Sequence, residues 1–213
     1  MPTPRTGQRR PSPMQDSVFL NLPYDSKFEP LFLAYIAGVS AFGLHPRTPL
    51  EIPGGTRRLD KIFDQLRGCR YSIHDLSRVQ VSRGAPRTPR FNMPFELGLA
   101  VAHQKAGGKH TWFVFEQAAH RLSKSLSDLD GSEVYLHGGK TNSVFKELLN
   151  AFVRADRQPT IKEIRAIYRG LRAAIPTILH DAGATTVFAA RPFKELSTIA
   201  SALADKAIPA RQR

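Results

Sequence analysis

RYSIHDLSRVQVSRGAPRTPRFNMPFELGLAVAHQKAGGKHTWFVFE (70–116) decides the fold. Its first residues, RYSIHDL (70–76), have strand character, and Asp75 marks their end. Residues 77–91 are polar and basic and are expected to form a loop. Asn92 is a helix-capping residue type and Pro94 is tolerated in a first turn. FELGLAVAHQKA (95–106) then runs as an apolar helix to the Gly107-Gly108 stop. HTWFVFE (110–116) has the aromatic and β-branched content of another strand. Strand, helix and strand in this order imply parallel strands joined by a helical crossover.

The same rhythm extends outward. SVFLNL (17–22) is a short buried strand, PYD (23–25) a turn, and Ser26 and Glu29 have capping-box spacing ahead of the apolar helix FEPLFLAYIAGVSAFG (28–43). LHPRTPLE (44–51) carries two prolines and suits an edge strand. Thr56 can cap a helix in which Leu59, Ile62, Phe63 and Leu66 recur at helical spacing. Beyond residue 116 come a polar helix-like segment, the strand EVYLH (133–137) and the amphipathic helix TNSVFKELLNAFV (141–153). The expected fold is a flavodoxin-like open parallel five-stranded sheet with helices on both faces.

A composition break at ADRQPT (155–160) precedes two further helices. The first, IKEIRAIYRGLRAAIPTILHDAG (161–183), is capped by Thr160 and Glu163 and contains Pro176; the second is PFKELSTIASALADKAI (192–208). The expected organisation is a flexible, basic, Pro-rich tail at 1–15, an α/β domain at 16–155 and a C-terminal helical appendage at 159–208. Ile161, Ile164, Ile167, Tyr168, Leu171 and Ile175 would form an apolar seam in the appendage, packed on the sheet domain or buried in a homo-oligomer.

Composition narrows the setting. A chain of 213 residues suits one domain with an appendage. No apolar run nears the roughly 20 residues of a membrane span, and the N-terminus lacks the apolar stretch of a secretory signal. Cys69, the single cysteine, forms no internal disulfide, so the expectation is a cytoplasmic protein without membrane contact and a buried structural thiol. The net charge of +13 favours anionic partners. It is spread over the tail (Arg5, Arg9, Arg10), one loop (Arg78, Arg83, Arg87, Arg90) and the C-terminal helices with their approach (Arg154, Arg157, Lys162, Arg165, Arg169, Arg172). A solvated basic surface explains this as well as nucleic-acid binding does, and nucleic acid is not the favoured partner. The histidines at 45, 74, 103, 110, 120, 137 and 180 show no metal-ligand spacing, and there is no P-loop and no GxGxxG, so no metal is expected. Gly54-Gly55-Thr56-Arg57-Arg58 opens a helix and serves either a phosphate or an ordinary turn and cap.

In open parallel sheets, ligands bind beyond the carboxyl ends of the strands. Three segments reach that edge: Asn21–Asp25, which includes Tyr24, then Asp75–Arg78, then Asn92–Glu96. Glu96 has two explanations. It is a charge favoured by the exposed amides of a first helical turn, or a carboxylate in a helix apolar almost all round, where partial burial would raise its pKa and suit it to chemistry. Asp75 is likewise either a turn cap or a site residue. His74 and Asp75, as strand neighbours, point to opposite faces.

VFLNLPYDSKFEPLF (18–32), CRYSIHDLSR (69–78) and RFNMPFELGLAVA (90–102) resemble the superfamily that joins nucleoside 2-deoxyribosyltransferases and TIR domains. The similarity spans about residues 17–153. In place of the small Ser or Gly residues of the transferases, or the Trp-Cys of TIR enzymes, Arg90-Phe91-Asn92-Met93-Pro94 precedes the glutamate, which resembles a divergent bacterial TIR-like branch. The resemblance implies cleavage of a nucleotide N-glycosidic bond. NAD+ is then the leading substrate, no added cofactor is required, and a bacterial defence role is implied. Glu96 would be catalytic, stabilising the oxocarbenium-like ribose, while Asn21, Tyr24, Asp25, Asp75, Arg78 and Asn92 would bind the nucleotide. A non-catalytic nucleotide-sensing or scaffold module and a deoxyribosyltransferase-like enzyme are the alternatives.

Overall fold

The computed structural model describes residues 16–52, 57–79, 90–119, 122, 124, 126–153 and 157–208. The expected tail at 1–15, Gly54, Gly55, Thr56, Arg83, Arg87, His120 and Arg154 lie outside the described residues. The strands are β1 (Ser17–Asn21), β2 (His45–Arg47), β3 (Tyr71–Asp75), β4 (Thr111–Glu116) and β5 (Val134–Leu136). The helices are α1 (Glu29–Ala41), α2 (Arg58–Arg67), α3 (Asn92–Lys105), α4 (Thr141–Ala151), α5 (Ile161–Ala182) and α6 (Ala190–Ala207). All four strand pairings are parallel, in the order β2-β1-β3-β4-β5, so the fold is flavodoxin-like. The Pro-bearing strand β2 is at an edge, where the missing N–H disturbs no second ladder.

Strand alternation divides the molecule into two faces. Val18, Leu20, Ile73, Phe115 and Tyr135 join the core under α1 and α4. Phe19, Trp112 and Val114 point the other way, toward α2 and α3. α3 packs on the face that Phe19 and Val114 present, opposite α1.

α1 is buried on every side from Leu31 to Ala41. One side lies on the sheet, and α5 and α6 cover the other. A helix enclosed this way needs no polar stripe, which is why its sequence shows none. The C-terminal helices thus share one continuous core with the sheet, and Ile164, Ile167, Tyr168, Leu171 and Ile178 are buried in it. Ile161 and Ile175 are only partly buried at its margin. Gly38 lets α1 approach α4, since a methyl group there would collide with Leu148.

The caps are partly as expected. Thr160 and Glu163 form the capping box of α5, which runs unbroken through Pro176 and ends at Gly183 with φ 60°. Ser26 does not cap α1; instead Asp25 Oδ1 accepts from the Phe28 N–H at 3.1 Å. Phe91 rather than Asn92 is the residue before α3, and it makes no side-chain cap.

A shared core has a measurable consequence. Ile164→Val is expected to cost about 1 kcal/mol, or roughly 2–4 °C in Tm. The shift should appear equally in far-UV circular dichroism and in the fluorescence of Trp112, the only tryptophan, which lies across the sheet from α5. A Trp112 midpoint that stays fixed while the dichroism shifts would show that the helices unfold as a separate lobe.

Candidate functional site

β1 connects through α1 to β2 on one side, and the chain then crosses β1 to form β3 on the other. The direction of winding reverses between β1 and β3, and a crevice opens beyond their carboxyl ends. A cleft of about 660 Å³ lies there. Asn21 and Tyr24 line it from the end of β1, Arg58 from the start of α2, and Arg90, Met93 and Glu96 from the start of α3. Leu59 and Phe95, both about half exposed, give it an apolar rim.

Glu96 is 6 % exposed. Met93, Glu96, Leu97 and Ala100 form the buried stripe of α3, at the spacing of one helical face. The first turn of α3 holds no acidic residue, because the helix begins at Asn92 and Glu96 falls in its second turn. The helix-terminus explanation of Glu96 therefore fails: the free amides of the first turn do not reach it. Burial pushes its carboxyl up to about 7, against the pull of the Arg58 guanidinium. Its Oε2 is buried and has no hydrogen-bond partner among the described residues.

Tyr24 lines the same cleft, and its buried hydroxyl lies beside Thr48 and near Glu96. Burial, with the nearby Glu96 carboxylate, keeps that phenol protonated. Its ring packs in a triangle with Phe32 and Phe188, at centroid distances of 6.1 and 5.9 Å. Phe188 belongs to the α5–α6 connection, so the C-terminal helices help to hold a wall of the cleft. Buried polar atoms are nearly always satisfied, so the Glu96 carboxylate oxygen is the atom in this cleft that the described residues leave unsatisfied.

The edge residues expected from the sequence divide. Asn21, Tyr24, Asn92 and Glu96 line the cleft; Asp25, Asp75 and Arg78 do not. Asp25 and Arg78 pair with each other at 3.5 Å, and Asp25 also closes the turn into α1. Asp75 is fully buried on the α1 face. Its Oδ2 accepts from the Tyr35 hydroxyl at 2.8 Å and lies 3.1 Å from His137 Nε2, and its Oδ1 accepts from the Ser77 N–H at 2.9 Å. The Gly139 N–H donates to His137 Nδ1, so the His137 proton sits on Nε2, facing Asp75. Asp75 thus ties β3 to α1 and to the chain after β5. The physical reason is parity: α3 packs on the opposite face of the sheet.

Arg58 is the cleft residue that sequence spacing underrated. The stretch Gly54–Arg58 marked a helix start, and it is the arginine that reaches the cleft. Cys69 is buried, and burial pushes its thiol up to about 12, so it is no nucleophile at neutral pH. A second cleft, of about 760 Å³, lies at the opposite sheet edge beside Arg67, Arg70 and Lys109. Its lining contains no carboxylate and so offers none of the chemistry available around Glu96. Among the described residues, no group of three histidine, cysteine or acidic side chains is arranged to hold a metal ion. No described helix is long and apolar enough to cross a membrane.

No protein-family model matches the chain, and no curated protein matches it.

Proposed function

We propose that the protein cleaves the N-glycosidic bond of a nucleotide, with NAD+ as the leading substrate and Glu96 as the catalytic carboxylate. One observation carries this: a buried carboxylate with an unpartnered Oε2, in a cleft that also presents two arginines and an apolar rim. The TIR-like and deoxyribosyltransferase-like resemblance of residues 17–153 supports it. Arg58 and Arg90 suit phosphate groups, and Phe95 suits the face of a base. Arg78, paired with Asp25, does not line the cleft.

In the reaction the bond between ribose C1′ and the pyridinium nitrogen breaks, and its electron pair goes to nitrogen. Nicotinamide leaves neutral and needs no acid. The ribose becomes an oxocarbenium-like cation, which the Glu96 carboxylate stabilises at close range. Water then adds at C1′ and gives up a proton, leaving ADP-ribose.

Ionised Glu96 is required, so kcat/KM is expected to rise with pH through about 7 and level off above it. Bound NAD+ brings a pyridinium cation near Glu96, which favours the carboxylate. The pH midpoint of kcat is therefore expected below that of kcat/KM. A time-resolved assay of NAD+ and of deoxynucleosides across pH 5–9 checks this. A flat profile with full turnover at pH 5 would remove Glu96 from the chemistry.

A further inference from the structure

A buried hydrogen-bond relay runs from the cleft through the sheet to its opposite edge. Asn21 Nδ2 lies 3.0 Å from His74 Nδ1, and His74 Nε2 lies 2.8 Å from Ser72 Oγ. Ser72 Oγ lies 2.8 Å from His110 Nε2, and His110 Nδ1 lies 2.8 Å from the Cys69 carbonyl. Asn21, Ser72, His74, His110 and Cys69 are all buried.

The direction of every bond in the relay can be deduced. A carbonyl only accepts, so His110 carries its proton on Nδ1 and its Nε2 accepts. The Ser72 hydroxyl must then donate to His110 and accept from His74 Nε2–H. His74 Nδ1 is left bare and accepts from Asn21. Burial holds His74 neutral, pushing its imidazole down to about 3. The other end agrees independently. Asn21 Nδ2 lies 2.9 Å from the Met93 carbonyl, which also only accepts. Both ends require the same polarity, and reversing it would set lone pair against lone pair at each carbonyl.

Both N–H bonds of Asn21 are thereby spent on protein: one on His74, one on the first turn of α3, three residues before Glu96. No described group bonds Asn21 Oδ1. We infer that the relay sets Asn21 as an obligate hydrogen-bond acceptor in the cleft, a specificity residue that selects a sugar carrying a free hydroxyl beside Glu96. This rests on the nucleotide reading above. His74, Ser72 and His110 are positioning residues that act through Asn21.

The test has two arms on the full chain. Two-bond 15N–1H correlation spectra without ligand read the tautomers. The expected result is Nε2–H at His74 and Nδ1–H at His110, with no protonation of His74 between pH 5 and 8. Nδ1–H at His74 would overturn the relay whatever the protein binds. Calorimetry then compares AMP with 2′-deoxy-AMP and 3′-deoxy-AMP. At least one deoxy analogue is expected to bind about tenfold or more weaker, because an unpaired buried acceptor is left behind. Ser72→Ala should shrink that ratio, and Asn21→Ala should bring it near one. A relay that is merely structural would lower Tm in Ser72→Ala and leave the ratio unchanged. Equal binding of all three nucleotides by wild type would overturn the acceptor role and leave the nucleotide reading standing. Binding of none of them, nor of NAD+, would overturn both.

Discussion

Glu96→Gln is expected to fold, to bind nucleotide and to lose about 10²-fold or more in kcat. The carboxylate matters most when the ribose carries positive charge, and that charge exists mainly in the transition state. Ground-state binding should therefore change far less than turnover. The amide keeps the shape of the side chain and most of its hydrogen-bonding capacity, so the fall isolates the negative charge. The pH dependence through about 7 should vanish with it, since no titrating carboxylate remains at that position. Turnover of NAD+ or a deoxynucleoside by the Gln variant near the wild-type rate would end the catalytic assignment. If wild type turns over neither substrate in any oligomeric state, the nucleotide-binding module replaces the enzyme.

The same substitution is expected to stabilise the protein at alkaline pH. The folded carboxyl titrates at about 7, against 4.5 for an ordinary glutamate. Between these values the folded state binds more protons than the unfolded state, so stability falls as pH rises from about 4.5 to about 7. Above 7 the cost is fully present, on the order of 3 kcal/mol. Glu96→Gln carries no such cost. At pH 8 its Tm should exceed that of wild type by several degrees, at roughly 2–4 °C per kcal/mol. The gap should close by pH 4.5, and thermal denaturation of both proteins across that range measures it. A helix-terminus glutamate predicts the opposite sign, a loss of about 0.3–1 kcal/mol in the variant. Rate and stability thus move in opposite directions, as expected where a strained group is kept for chemistry.

Much of this was legible in the chain. Hydrophobic period, glycine stops and the βα rhythm carry the five parallel strands and most helix bounds, because these patterns depend on local geometry. The Thr160–Glu163 box was readable for the same reason, since both partners lie within one turn. Glu96 stood out because an acid in so apolar a helix needs a reason. Asp75 shows where legibility ended. Its place at a strand end pointed to the cleft, but its parity sends it to the α1 face, where Tyr35 and His137 take it up. Sequence parity already separates Asp75 from His74; which of the two faces α3 covers does not follow from parity alone.

The sequence by itself determined the layer architecture and the singular position of Glu96, an acid in an almost wholly apolar helix. Only the tertiary structure decided three things. It joined the C-terminal helices to the main core, because the fully apolar α1 must be covered on the side away from the sheet. It replaced Arg78 with Arg58 at the cleft, because Asp25 holds Arg78 elsewhere. It aligned Asn21, His74, Ser72 and His110 in one relay, through a parallel register that brings residues 21 and 74 side by side. Each of these depends on contacts between residues far apart in the chain, which local pattern does not encode.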